Sequence, residues 1–160
     1  MPSQVEAIKL PDFPLWDRAA RKHIPLSIDL EFTERCNCNC RHCYINLPAN
    51  DRTAKSQELT FAEIRNIFDQ AVELGSLWCL MTGGEPLVRE DFAEIYLYAK
   101  KKGLLASIFT NATLIDDKFI ELIKRYPPRD LEVSVYGVTR ETYERVTRVP
   151  GSFEAFSRGV

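Results

Sequence analysis

Between residues 26 and 136 the chain passes repeatedly from a strand pattern to a helix pattern, and this alternation restricts its fold more than any other feature. Residues 26–32 read L-S-I-D-L-E-F, a period of two. Leu26, Ile28, Leu30 and Phe32 fall on one face, and Ser27, Asp29 and Glu31 on the other. A polar loop is expected from about residue 47 to 59. Thr60, with Glu63 three residues on, then caps a helix. Phe61, Ile64, Phe68, Ala71 and Leu74 form its apolar stripe, and Gly75 stops it. Residues 77–81 are a continuous apolar run, the mark of a buried strand, broken by Gly83-Gly84. A second helix carries Phe92, Ile95, Tyr96 and Ala99 on one face and ends at Gly103. Residues 104–109 form a third strand. Asp116 or Asp117 opens a third helix, halted by Pro127-Pro128. Residues 131–136 are a fourth strand, in which Leu131, Val133 and Val135 alternate with Glu132, Ser134 and Tyr136. A last helix begins near Ser152, with Phe153, Phe156 and Val160 on its apolar face.

Strand–helix repeats of this kind predict parallel strands joined by right-handed crossovers. The fold class is therefore α/β, with parallel β/α repeats forming the first half of a partial TIM-type barrel. A full barrel takes about 250 residues, and this chain has 160. The last strand has an open edge, which is a liability, so the chain reads as an N-terminal fragment. Residues 1–25, punctuated by Pro2, Pro11, Pro14 and Pro25 and carrying Leu15 and Trp16, read as a lead segment draped over the domain. Residues 26–160 read as the incomplete core domain. A composition 45% hydrophobic and 28% charged fits an ordinary globular protein. The net charge of −2 leaves no basic excess for phosphates, so nucleic acid is not an expected partner. No apolar stretch approaches the roughly 20 residues of a membrane helix. Residues 1–10, with Gln4, Glu6 and Lys9, do not resemble a secretion signal. A cytoplasmic protein is expected.

Four of the five cysteines, Cys36, Cys38, Cys40 and Cys43, lie within eight residues; Cys79 lies in the second strand and reads as core. A disulfide framework would spread them out. A tight cluster in an intracellular protein points to metal or redox chemistry. It follows the first strand directly, and reactive centres of parallel β/α folds sit at the C-terminal ends of strands. Spacings of three and two residues let a short loop wrap thiolates around an iron–sulfur cluster or a zinc ion.

Cys36-x3-Cys40-x2-Cys43, flanked by Asn37, His42 and Tyr44, resembles the signature loop of radical S-adenosylmethionine (radical SAM) enzymes. The flanking residues are similar to the branch that carries an extra iron–sulfur domain called SPASM, which includes many peptide maturases. Two further motifs are similar to the family in the same order: Gly83-Gly84-Glu85-Pro86 after the second strand, and Thr110-Asn111-Ala112-Thr113 after the third. The resemblance implies that Cys36, Cys40 and Cys43 bind a [4Fe–4S] cluster whose open iron is chelated by SAM. Reductive cleavage would then give a 5′-deoxyadenosyl radical that abstracts hydrogen from substrate. It implies that backbone groups of Gly83, Gly84 and Glu85 hold the amino group of SAM, and that Ser134 bonds its ribose. Asn111 faces the active site or serves as an Asx-turn residue. Ser134 has the alternative of being a small lumen-facing residue. The resemblance also implies a peptide or protein substrate and an electron donor such as a flavodoxin or ferredoxin.

Two positions depart from the family. Cys38 stands where an aliphatic residue is usual. Alternation turns it away from Cys36 and Cys40, as a small buried hydrophobe, with a ligand role as the alternative. Ala112 replaces a glycine, which suggests a turn without a strict need for positive φ. No residue is singled out as catalytic, and the isolated fragment is expected to be weakly active or inactive. Two other classes compete: a zinc-stabilised binding module and a dithiol redox protein. Neither gives the Gly83–Pro86 segment a role.

Overall fold

The computed structural model describes residues 14–45 and 47–160. The chain runs α1 (Pro14–Lys22), β1 (Ser27–Glu31), β2 (Arg35–Cys36), β3 (Leu47–Pro48), α2 (Arg52–Gln57), α3 (Phe61–Glu73) and β4 (Trp78–Thr82). A 3-10 turn (Pro86–Val88) leads into α4 (Phe92–Lys101), β5 (Leu105–Thr110), α5 (Asp117–Arg125), β6 (Asp130–Val133), α6 (Arg140–Thr147) and α7 (Ser152–Gly159). The expected parallel β/α arrangement is present. One four-stranded sheet has the order β1-β4-β5-β6, all parallel.

The register sorts the two faces. Leu30, Met81, Ile108 and Leu131 form one row across the sheet, and Asp29, Leu80, Ser107 and Asp130 form the next row on the opposite face. The first face is covered by helices. Ile64 and Phe68 of α3 and Ile95, Tyr96 and Ala99 of α4 are buried against Cys79, Met81, Ala106 and Ile108. Fully burying a side chain of the Phe68 kind contributes about 2–3 kcal/mol, so this layer is the main source of stability. The predicted Thr60–Glu63 capping box opens α3, and Asp116 caps α5.

Several expectations are corrected. The apolar strand Trp78–Thr82 is not buried on both faces: Trp78, Leu80 and Thr82 are half-buried, because α3 and α4 pack on the side of Cys79 and Met81. Leu74 and Val160 are exposed rather than on apolar faces, since each stands beyond the last helical turn. The lead segment is partly helical; Trp16 of α1 stacks on Trp78 with ring centroids 5.6 Å apart. Pro2 and Pro11 lie outside the described residues. The polar loop contains α2, capped by Asp51. The fourth strand stops at Val133. Its partner β5 ends at Thr110, and only the Ser134 N–H continues the ladder, to the Thr110 carbonyl at 3.0 Å.

Helix α6 is absent from the sequence pattern because its few apolar side chains, Tyr143 and Val146, make no stripe. Its carbonyls nonetheless matter. Val146 and Thr147 accept the N–H groups of Arg41 and Asn39, at 3.0 and 2.9 Å. The cysteine loop thereby satisfies carbonyls that a helix end leaves without intrahelical partners.

Candidate active site

At the C-terminal edge of the sheet, the loop after β1 and the ends of β4 and β5 close around a cavity of about 210 Å³. Cys36, Cys40 and Cys43 all line it, with Gly83, Gly84 and Asn111. Ser134 stands on the same wall, exposed, just past the end of β6. Of the residues expected to hold the cluster or SAM, all but Glu85 line this cavity; Glu85 lies fully buried behind it.

The glycines explain how the wall is built. A Cβ on Gly83, whose φ is +126°, would lie 2.4 Å from the Thr33 carbonyl oxygen. One on Gly84 would lie 2.3 Å from that of Arg35. The Gly84 N–H donates to Thr33 O at 2.7 Å and the Glu85 N–H to Arg35 O at 2.9 Å. The two glycines therefore let β4 press against the segment leading into Cys36, a close approach of chain to chain. Among the described residues, the carbonyl oxygens of Gly83 and Gly84 accept no hydrogen bond.

The Glu85 side chain is a buried hub. It accepts from Thr110 Oγ1 at 2.8 Å, from the Asn111 N–H at 2.7 Å and from the Leu87 N–H at 3.1 Å. Burial pushes its carboxyl up, and these three donors oppose the shift. Asn111 forms an Asx turn and also lines the cavity. Its Oδ1 accepts from the Thr113 N–H at 2.9 Å, an Asx turn, while its Nδ2 donates to Asn37 Oδ1 at 2.9 Å and lies 3.8 Å from Cys36 Sγ. Asn37 Nδ2 in turn donates to Thr113 Oγ1 at 2.7 Å. Ala112 does have a positive φ, +61°, contrary to the expectation from its lack of glycine. Alanine tolerates the left-handed conformation there at a cost of about 1–2 kcal/mol.

Cys38 is buried, as expected, but does not turn away. It lines the same cavity, and its N–H donates to Cys36 Sγ at 3.4 Å. Hydrogen bonding from Cys38 is the main cause that lowers Cys36 and brings Cys40 down to about 6, and Tyr136 and His42 add to the effect at Cys40. Cys38 itself is pushed strongly up by holding that proton. Burial raises Cys79 to about 12, in keeping with a core residue.

Sequence reasoning missed the support beneath the loop. Arg35, Glu58 and Arg89 carry no periodic or motif signal; only their burial in the fold reveals them. Tyr136, read as a strand residue, lines the cavity and packs on His42 with centroids 5.4 Å apart.

Known proteins can be set beside this geometry. The chain is 33% identical over 141 residues to an AdoMet-dependent heme synthase of Methanosarcina barkeri, covering 88% of this chain and 40% of that protein. It is 30% identical to a PqqA peptide cyclase of Gluconobacter oxydans, over 80% of this chain and 35% of that protein. It therefore spans about two-fifths or less of these relatives. The structure of Streptococcus suis SuiB bound to S-adenosylmethionine superposes with a TM-score of 0.67 at 16% identity, over 99% of this chain and 37% of that one. This likeness shows the shared barrel-type fold. The model of the radical SAM superfamily matches residues 30–160, which include the cysteine loop and all four strands of the main sheet from Leu30 onward. The chain belongs to the radical SAM superfamily.

Proposed function

We propose that this chain binds a [4Fe–4S] cluster through Cys36, Cys40 and Cys43, binds SAM beside it, and forms the corresponding part of an enzyme that modifies a peptide. The observation supporting this reading is the convergence of Cys36, Cys40 and Cys43, with Cys38 beside them, and of Gly83-Gly84 on one cavity at the strand ends. The donor set fits the group: iron–sulfur clusters take thiolates, and the surroundings of Cys36 and Cys40 favour the thiolate. When bound, the cluster and SAM supply a 5′-deoxyadenosyl radical that takes a hydrogen atom from substrate.

The chain's own residues bind and orient. Three cysteines leave one iron for SAM. The free carbonyls of Gly83 and Gly84 suit its ammonium group, a donor with no acceptor capacity. Glu85 contributes by holding the strand ends in register, since its carboxylate is committed to Thr110 and Asn111. The Asn111 amide and the Ser134 hydroxyl offer further polar contacts along the cavity, Ser134 for the ribose.

The open face of the sheet favours a peptide over a tetrapyrrole. Asp29, Glu31, Asp130 and Glu132 are all exposed on it. A haem-type substrate carries carboxylates, which this wall repels, whereas a peptide amide or cationic side chain does not meet that penalty. An external electron donor such as a flavodoxin or ferredoxin and a cytoplasmic setting complete the proposal. No helix among the described residues is long and apolar enough to cross a membrane.

The test is anaerobic reconstitution followed by electron paramagnetic resonance of the dithionite-reduced protein, with and without SAM. A signal perturbed by SAM in the wild type and missing in Cys43→Ala is the expected result. A signal indifferent to SAM contradicts the reading. Tight haem binding, read from its visible absorption, would contradict the peptide assignment alone.

A further inference from the structure

Glu58 stands at the C-terminal end of α2, outside the three motifs and outside the cavity. Its carboxylate accepts hydrogen bonds from Thr33 Oγ1, from Arg35 Nε at 2.7 Å and from Arg35 Nη2 at 3.1 Å. Arg89 Nη1 faces it at 3.6 Å. The side chains of Arg35 and Arg89 are only 6% and 4% exposed, so this cluster has little water to screen it.

The group forms the underside of the cysteine loop. Arg89 Nη1 donates to the Phe32 carbonyl at 3.0 Å, while Gly84 and Glu85 hold those of Thr33 and Arg35. Arg35 Nη1 donates to the Ala49 carbonyl at 2.7 Å, and the Arg35 N–H donates to Thr33 Oγ1 at 2.9 Å. Cys36 is the next residue. The last fixed points before the first cysteine are thus tied, directly or through one guanidinium, to a single carboxylate. Asp91, paired with Arg89 at 2.7 Å, brings the charges to two against two. A bidentate arginine–carboxylate pair fixes orientation as well as distance. Removing one member of a buried pair leaves an uncompensated charge.

We infer that Glu58 is a positioning residue for the cluster: it sets the path of residues 33–36 and neutralises the two buried guanidinium groups under the cysteine loop. The inference rests on the cluster assignment of the preceding section. Loss of its charge leaves Arg35 and Arg89 with Asp91 alone. The added positive potential favours the reduced, more negative cluster, so the midpoint potential rises.

Glu58→Gln, Glu58→Asp and a surface control, Glu90→Gln, distinguish the outcomes. In the metal-free protein, amide hydrogen exchange of residues 33–43 is expected to quicken about 10-fold in Glu58→Gln. The amides of α3 and β5 should keep wild-type rates, and Glu58→Asp should recover part of the protection. In the reconstituted protein, the midpoint potential of Glu58→Gln should lie above that of wild type, with Glu58→Asp and Glu90→Gln unshifted. Unchanged exchange, or exchange raised evenly over all elements, overturns the inference, as does an unchanged potential. A wild-type protein that takes up no cluster defeats the proposed function, while the exchange measurement still decides whether Glu58 holds the loop.

Discussion

Glu58 and Glu85 are both shielded carboxylates near the cysteine loop, yet their environments push them in opposite directions. At Glu58, burial pushes the carboxyl up, but hydrogen bonds from Arg35 and Thr33 and the charges of Arg35 and Arg89 outweigh it, and the net shift is down. Its contribution to stability is therefore present above the unfolded carboxylate range and is lost as pH falls through its lower folded value. At Glu85 the net shift is up, so acid relieves a burial cost. The loop is expected to loosen below about pH 4, ahead of the helical core. Hydrogen exchange of residues 33–43 against pH measures this, and loosening in step with α3 would contradict it. Ala112 offers a second test. Ala112→Gly removes a buried methyl, about 0.8 kcal/mol, and relieves a left-handed residue, about 1–2 kcal/mol. Its urea midpoint should stay near wild type. Ala112→Val, β-branched at φ +61° and with no exposed surface, should lose about 3 kcal/mol. At this scale the sequence was most legible where chemistry forces residue type. The clustered cysteines and paired glycines stood out; Arg35, Glu58 and Arg89 did not, because long-range ion pairing has no local spacing.

The glycine turn after β4 and helix α6 hold the cysteine loop from two sides. The first bond set joins Gly84 and Glu85 to Thr33 and Arg35; the second joins Asn39 and Arg41 to the end of α6. Cys36 and Cys40 are thus held by backbone bonds on neighbouring residues. Gly84→Ala would drive a Cβ to 2.3 Å from Arg35 O, backbone against backbone. It should cost upward of about 3 kcal/mol, or expel the loop, seen as faster alkylation of Cys36 by iodoacetamide. Wild-type stability and thiol reactivity in that variant would contradict the described packing. The repeating strands and the three helices α3, α4 and α5 were legible because each carries its own periodicity, with capping side chains at α3 and α5. Helix α6 and the two-residue pair β2–β3 were not, since each is held by contacts from distant segments.

Across the whole molecule, the sheet presents one face to its helices and the other to an acidic, open side. The register that sends Met81 and Ile108 into the core sends Asp29 and Asp130 to the open side, while Ser107 Oγ donates to Asp130 at 3.0 Å. Fold class could be read from strand–helix alternation alone. The exact strand ends could not, because they depend on where a neighbouring strand turns away, as β5 does after Thr110. The central claim is that three thiols converging at these strand ends hold an iron–sulfur cluster. Iron, sulfide and zinc content after anaerobic reconstitution tests it most directly. About four irons and four sulfides per chain are expected. They should be lost in Cys36→Ala, Cys40→Ala and Cys43→Ala and retained in Cys38→Ala. One zinc per chain in a colourless protein would contradict it.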